Sequence, residues 1–189
     1  MTIPPLTTER LRLRPFTEDD IPTLARLAND RAVAKTTTIP FPYTEAHARA
    51  WIATHAPAAE RGERLVWAIT EAHTGQLMGA IELRFLTARH VGELAYWLGK
   101  AFWGQGYTTE AARAVLAYGF GKAGLYRIQA QHFHTNPASG RVMQKIGMTY
   151  EGTRRAAVFR WEQYHDMLMY AILKPEYERL RAAGEEARA

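Results

Sequence analysis

The residues from Phe102 to Ala111 read FWGQGYTTEA. Gly104 and Gly106 flank Gln105 where an apolar, strand-like run gives way to an alanine-rich, helix-like one. A helix that begins there leaves its first-turn N–H groups without intrahelical partners. Its dipole adds roughly half a positive charge at that end. Glycine permits positive φ and lets another group approach the backbone closely. A loop of this kind can cradle an anion, above all a phosphate. The candidate donors are the N–H groups of Gln105, Gly106, Tyr107, Thr108 and Thr109, with the hydroxyls of Thr108 and Thr109 beside them. Local sequence leaves a second reading open, in which the glycines only make a tight connection. Two commoner nucleotide motifs are excluded. The third glycine of Gly-x-Gly-x-x-Gly is replaced by Thr109, and no Gly-Lys-Ser/Thr follows as in a Walker loop.

The elements around this loop follow from periodicity. Residues 10–16 alternate charged and apolar side chains, as a half-buried strand does. Thr17 is placed to cap a helix through residues 21–30, and Thr44 a second helix over residues 45–57 that turns Trp51 and Ile52 towards the core. Between them, residues 36–44 are broken by prolines and read as loop. Residues 64–71, 76–87 and 90–99 read as three strands of an antiparallel meander, with a turn at Gly75. The glycine loop then leads into a helix over residues 109–124, a strand over 126–134, and a helix that starts at Asn136-Pro137 and stops at Gly147. Two last strands, 148–160 and 163–174, meet at a turn from Trp161 to Gln163, and a charged tail from Pro175 reads as a fraying helix. No repeat or linker divides the chain, so residues 1–189 read as one α/β domain, a mixed sheet with helices on its faces.

Composition narrows the function. The chain has 189 residues, 47% hydrophobic and 23% charged, enough for a real core. It has no cysteine, so no disulfide framework and no protein thiolate, which fits a cytoplasmic setting. No apolar run has the length to cross a bilayer, and the first residues lack the apolar segment of a signal peptide. A net charge of +5 is compatible with nucleic acid, a polyanionic small ligand or an acidic protein. No basic run interleaved with aromatics supports nucleic acid. His132 and His134 alternate along one strand-like run and, with His165, invite a metal reading, but no carboxylate or cysteine completes a recognised ligand set.

The segment GELAYWLGKAFWGQGYTTEAARAVLAYGF resembles the acetyl-CoA signature of the GNAT acyltransferase superfamily. Trp103, Gly104, Gln105, Gly106, Tyr107, Glu110 and Ala111 are similar to the WGxGYxxEA form of the Rim-type, ribosomal-protein N-acetyltransferase-like branch. Asn136, Ser139, Val142, Lys145, Gly147, Glu151 and Gly152 continue the likeness, with Met148 in place of the usual phenylalanine. The likeness runs from TERLRLRPF near the start to YHDMLMYAIL near the end.

The resemblance implies a GNAT fold: a mostly antiparallel, twisted sheet of about seven strands, helices on both faces and a splayed strand pair that holds CoA. It implies acetyl-CoA as co-substrate and direct transfer of the acetyl group to a primary amine, either a protein N-terminus, including a ribosomal one, or a small molecule. The pyrophosphate would rest on the N–H groups from Gln105 to Thr109. The pantetheine arm would pair like a strand with Tyr96, Trp97 and Leu98, and the acetyl carbonyl would meet an N–H near Leu98. Glu93 is the candidate base, acting through a water, or else a strand residue ion-paired to Arg84 or Arg127. Ser139 is the candidate donor to the leaving thiolate, or else a capping residue. Many members carry a tyrosine one turn further on, where this chain has Met143. Asn136 contacts pantetheine or caps its helix, and Lys145 and Arg141 reach the 3′-phosphate or stay helix-surface cations. One departure stands out: where some relatives carry an acid between the last two strands, this chain has the basic and apolar RRAAVFR, and the next acid is Glu162. The apolar, aromatic final strands would suit a homodimer seam. A non-catalytic acyl-CoA sensor on the same fold is the alternative reading, and a nucleic-acid-binding domain, resting on charge alone, the third.

Overall fold

The computed structural model describes residues 1–86 and 90–186. Strands β1 (Leu6–Thr7) and β2 (Leu11–Arg14) come first, followed by a 3₁₀ turn over Glu18–Asp20 and helices α1 (Ile21–Ala28), α2 (Arg31–Lys35), α3 (Glu45–Ala53) and α4 (His55–Glu60). The meander is β3 (Arg64–Glu71), β4 (Leu77–Phe85) and β5 (Val91–Leu98). Then come α5 (Tyr107–Gly121), β6 (Arg127–Phe133), α6 (Pro137–Lys145), β7 (Thr149–Arg160), β8 (Gln163–Leu173) and α7 (Lys174–Glu186). The strands form one eight-stranded sheet in the order β1-β2-β3-β4-β5-β6-β8-β7. Every pairing is antiparallel except β5 with β6.

Alternation along the strands divides the core between two faces. Leu65, Trp67, Ile81, Leu83, Leu94 and Leu98 pack with the apolar side of α5. Val66, Ala68 and Ala80 point the other way and pack with Leu24 and Ala28 of α1 and Ala48 of α3. β3 and β4 are covered on both faces and are therefore almost continuously buried.

The structure corrects several expected boundaries. The sheet has eight strands rather than about seven, because a two-residue strand, β1, makes a hairpin with β2. The expected helix over 45–57 is two helices broken at Thr54, whose hydroxyl donates to the Trp51 carbonyl at 2.6 Å. Pro57 explains the break: inside a continuous helix it would clash with the preceding turn, whereas in the first turn of α4 its missing N–H costs nothing. Thr17 precedes a 3₁₀ turn rather than the α-helix itself, and the α-helix ends at Ala28. Asp30 instead caps the short α2, accepting from the Ala32 N–H at 2.7 Å. α5 begins at Tyr107, two residues early, and α7 at Lys174. β6 ends at Phe133, which leaves His134 outside the strand that holds His132. Thr87 of the second meander strand and residues 187–189 of the tail lie outside the described residues.

The feature that creates a site is a parting of strands. β5 and β6 pair only over Val91–Glu93 with Arg127–Gln129. Beyond that, β5 keeps its register with β4 up to Leu98 opposite Gly79, while β6 follows β8 up to Phe133 opposite Met167. The two strands stay with their other neighbours, and the sheet opens between them.

Candidate active site

A cavity of about 650 Å³ fills this opening and reaches both faces of the sheet. At one end it is lined by Gly104, Gly106 and the first turn of α5. Gly104 and Gly106 both have positive φ, at 75° and 82°. Gly106 is the N-cap of α5 and supplies no side chain to cap it. The N–H groups of Tyr107, Thr108 and Thr109 therefore face the cavity end without a side-chain acceptor from the cap, as an anion site requires. Glu110 anchors this turn from behind. Its carboxylate accepts from the Thr8 hydroxyl at 2.6 Å, the Arg10 N–H at 2.9 Å and Arg10 Nε at 2.7 Å. Burial alone would raise the Glu110 pKa, but these bonds outweigh it and hold the carboxyl below its usual range. The Arg10 guanidinium also lies 4.6 Å over the Tyr107 ring and donates to the Gln105 carbonyl at 3.2 Å.

The wall of the opening is the free edge of β5. The Gly99 N–H donates to Met78 O at 2.9 Å, so antiparallel alternation turns the Leu98 and Tyr96 amides away from β4 and towards the opening. The Leu98 carbonyl is taken by the Trp103 indole N–H at 2.7 Å. An amide-bearing chain laid along this edge would meet N–H and C=O groups at strand spacing. The uncapped helix terminus at one end and a free strand edge leading to it have the chemistry to receive a phosphorylated, extended ligand.

The sequence model of the acetyltransferase (GNAT) domain matches residues 10–149. The chain belongs to the GNAT acetyltransferase family. A relative in Bacillus subtilis, the uncharacterized N-acetyltransferase YoaA, is 30% identical over 173 residues, covering 91% of this chain and 98% of its own length. The crystal structure of a GNAT-family acetyltransferase from Bacillus anthracis superposes with a TM-score of 0.82 at 28% identity, over 91% of this chain and 99% of that one. RimJ of Mycobacterium smegmatis, solved in complex with CoA-disulfide, shares the fold at a TM-score of 0.82 and 22% identity, over 96% of this chain and 93% of its own.

In this GNAT domain the expected site residues are not all placed alike. Tyr107, Thr108, Thr109, Tyr96, Trp97 and Leu98 line the cavity. Gln105 does not: its side chain turns back to donate to the Ala101 carbonyl at 2.9 Å, so its place is in bracing the loop. Lys145, in the last turn of α6, and Arg141 line the cavity near the cradle. Asn136 lines it too, while its side chain caps α6 by accepting from the Ser139 N–H at 3.3 Å. The Ser139 hydroxyl is not used for capping; it donates to the Tyr96 phenol oxygen at 3.1 Å. Burial raises the Tyr96 pKa, so the phenol stays protonated.

Glu93 sits at the last β5–β6 pair before the strands part. Arg84 Nη1 lies 3.4 Å from its Oε1, and Gln129 donates to its Oε2 at 3.2 Å. Of the two arginines expected beside it, Arg127 instead pairs with Glu151 at 2.5 Å. Arg160 sends its guanidinium to the carbonyls of Ala34, Thr38 and Ile39, tying the α2–α3 loop to the β7–β8 turn. Sequence reasoning missed Glu82, a buried carboxylate on β4 paired with Arg84 and, at 3.6 Å, with Arg64. The available signal was a lone acid in the apolar run LMGAIELRF. It also took Tyr96 for its backbone alone, because one sequence does not reveal that a strand phenol meets a helix serine.

Proposed function

We propose that this enzyme transfers the acetyl group of acetyl-CoA directly to a primary amine that enters from the α1–α3 face. Acetyl-CoA is its acetyl donor and supplies an activated thioester. The observation that carries the assignment of parts is that an uncapped helix N-terminus and a free strand edge open into one cavity. The N–H groups of Tyr107, Thr108 and Thr109 hold the pyrophosphate, and the cations of Arg141 and Lys145 serve the ribose phosphate. The edge from Tyr96 to Leu98 and the Asn136 side chain orient the pantetheine amides. The Leu98 N–H donates to the thioester oxygen as negative charge grows there.

The acceptor nitrogen forms the new C–N bond as the C–S bond breaks, so one proton must leave nitrogen and one must reach sulfur. Glu93 takes the first through a water, at the point where the strands part. Ser139 gives the second by turning its hydroxyl from the Tyr96 oxygen to the sulfur, and it regains a proton from solvent as Glu93 releases the one it took. An α-amine, with a pKa of about 7.7–8.0, asks less of the base than a lysine near 10.4, which makes a protein or peptide N-terminus a favoured acceptor. The Rim-type likeness of the sequence supports the same choice.

The test is thiol release from acetyl-CoA in the presence of peptides with free and blocked N-termini and of small primary amines. Release that needs a free amine supports the reading. Tight acetyl-CoA binding without release on any amine would favour a sensor on the same fold.

A further inference from the structure

Past the point where β5 and β6 part, two cavity-lining side chains of β6 hold a buried atom without a hydrogen-bond partner, His132 through Nε2 and Gln131 through Oε1, and Gln131 is the one on the Glu93 face. Gln131 is on β6, and its Oε1 is buried without a hydrogen-bond partner. It stands two residues beyond Gln129 and so shares its face of the sheet, the face of Glu93. The next β5 residue on that face is Ala95, which lies opposite Glu82 of β4, and the one after is Trp97. A half-buried methyl group thus sits among Glu82, Glu93, Gln131 and Trp97 at the floor of the cavity.

The polar groups around this hole are the carboxylates of Glu82 and Glu93 with their Arg84 partner, the Trp97 indole and the Gln131 amide. The two carboxylates are already paired with Arg64, Arg84 and Gln129, whereas the amide oxygen of Gln131 has neither an ion pair nor a hydrogen-bond partner. A buried, unpaired amide oxygen is destabilising, and folded proteins seldom leave one unexplained. A ligand N–H is the group that would satisfy it. A neutral amide oxygen accepts from an uncharged amine as well as from an ammonium, so it can hold the nitrogen in the state that attacks. The walls above the hole are Trp97, Trp51, Tyr43 and Met167.

We propose that the hole over Ala95 receives the acceptor nitrogen, that Gln131 Oε1 accepts one of its N–H bonds, and that the apolar walls select primary amines borne on an apolar or aromatic frame. This inference rests on the transferase reading above and names the class of acceptor for the same cavity.

The experiment compares kcat/KM for 2-phenylethylamine, tryptamine, a Phe-started tripeptide, ethanolamine and spermidine in the wild type, Gln131→Leu and Ala95→Leu. Acetyl-CoA affinity and Tm are measured for each protein. The aromatic amines are expected to exceed ethanolamine and spermidine by tenfold or more. Gln131→Leu is expected to lower kcat/KM for them about tenfold through KM, with unchanged acetyl-CoA affinity and an equal or higher Tm. A purely structural glutamine would instead lower Tm on substitution. Ala95→Leu fills the hole and is expected to raise KM at least tenfold. Unchanged kcat/KM in both variants, or a wild-type preference for the polar amines, overturns the proposal while leaving the transferase intact. Acetyl-CoA binding with no turnover of any amine overturns the transferase reading itself, and the acceptor site with it.

Discussion

The Tyr96 phenol donates to the Ser139 backbone carbonyl at 3.1 Å and accepts from the hydroxyl of the same serine at 3.1 Å. One tyrosine on β5 therefore fixes the position and the donor direction of a serine on α6, across the opening between the strands. Met143 has no proton to give, and the Tyr96–Ser139 pair puts two hydroxyl groups on the cavity wall nearby. Ser139→Ala is expected to lower kcat about 10²-fold, in line with the loss of a positioned proton donor. Acetyl-CoA affinity should change by no more than about threefold, since the groups proposed to hold its phosphates and amides are untouched. Tyr96→Phe should give a smaller loss of kcat, because Ser139 remains. Steady-state kinetics with calorimetric titration of acetyl-CoA separates the two terms. An equal loss of affinity in Ser139→Ala would make the serine a binding residue only.

Glu110 ties α5 to the β1–β2 hairpin through Thr8 and Arg10. Hydrogen bonds to a charged group contribute about 1.5–3 kcal/mol, so Glu110→Ala should destabilise the fold by about 1–3 kcal/mol. The same change frees the turn that carries the cradle, so acetyl-CoA affinity should fall too. Denaturant unfolding and titration on one preparation check both. Glu110→Gln, which keeps the shape but loses the charge, should recover part of each.

His55 predicts how stability depends on pH. It is 4% exposed, neither ring nitrogen has a partner, and its ring packs on Trp51 at 4.4 Å and on Phe16 at 5.5 Å. Burial, and then the nearby Arg64 charge, lower its pKa from 6.5 to about 4. The native state holds it neutral, so below pH 6.5 the unfolded chain binds the extra proton and stability is lost as pH falls towards 4. The full shift is worth about 3 kcal/mol. His55→Phe should flatten this dependence between pH 6.5 and 4. Thermal melts across that window measure it, and parallel slopes in the two proteins would remove His55 as the cause.

Much of this site was legible in the sequence because local rules govern it. Glycines at a strand-to-helix junction require positive φ, and Gly104 and Gly106 have it. The meander was readable because β3, β4 and β5 are neighbours in the chain and in the sheet. What was hidden depends on long-range placement. Arg10 and Glu110 are 100 residues apart, and Tyr96 and Ser139 are 43 apart. No periodicity records such pairs. The choice of Arg84 over Arg127 as the partner of Glu93 follows from register, since Glu93 faces Arg84 across β4 while Glu151 draws Arg127 away. The acceptor side was illegible for a similar reason: Glu82, Ala95 and Gln131 come from three strands, and only the parting of β5 from β6 brings them around one hole.

The most direct measurement is calorimetric titration of acetyl-CoA into the wild type and into Gly106→Asp. At φ 82° an L-residue is strained, and a side chain there would start 3.5 Å from Arg10 Nη2, so a carboxylate would bring negative charge and strain to the uncapped α5 terminus. Micromolar binding by the wild type, with a loss of at least a hundredfold in a variant whose circular dichroism is unchanged, is the predicted result. Equal affinity in the two proteins, or no binding by the wild type, would contradict the assignment of this loop as the phosphate cradle of an acetyltransferase.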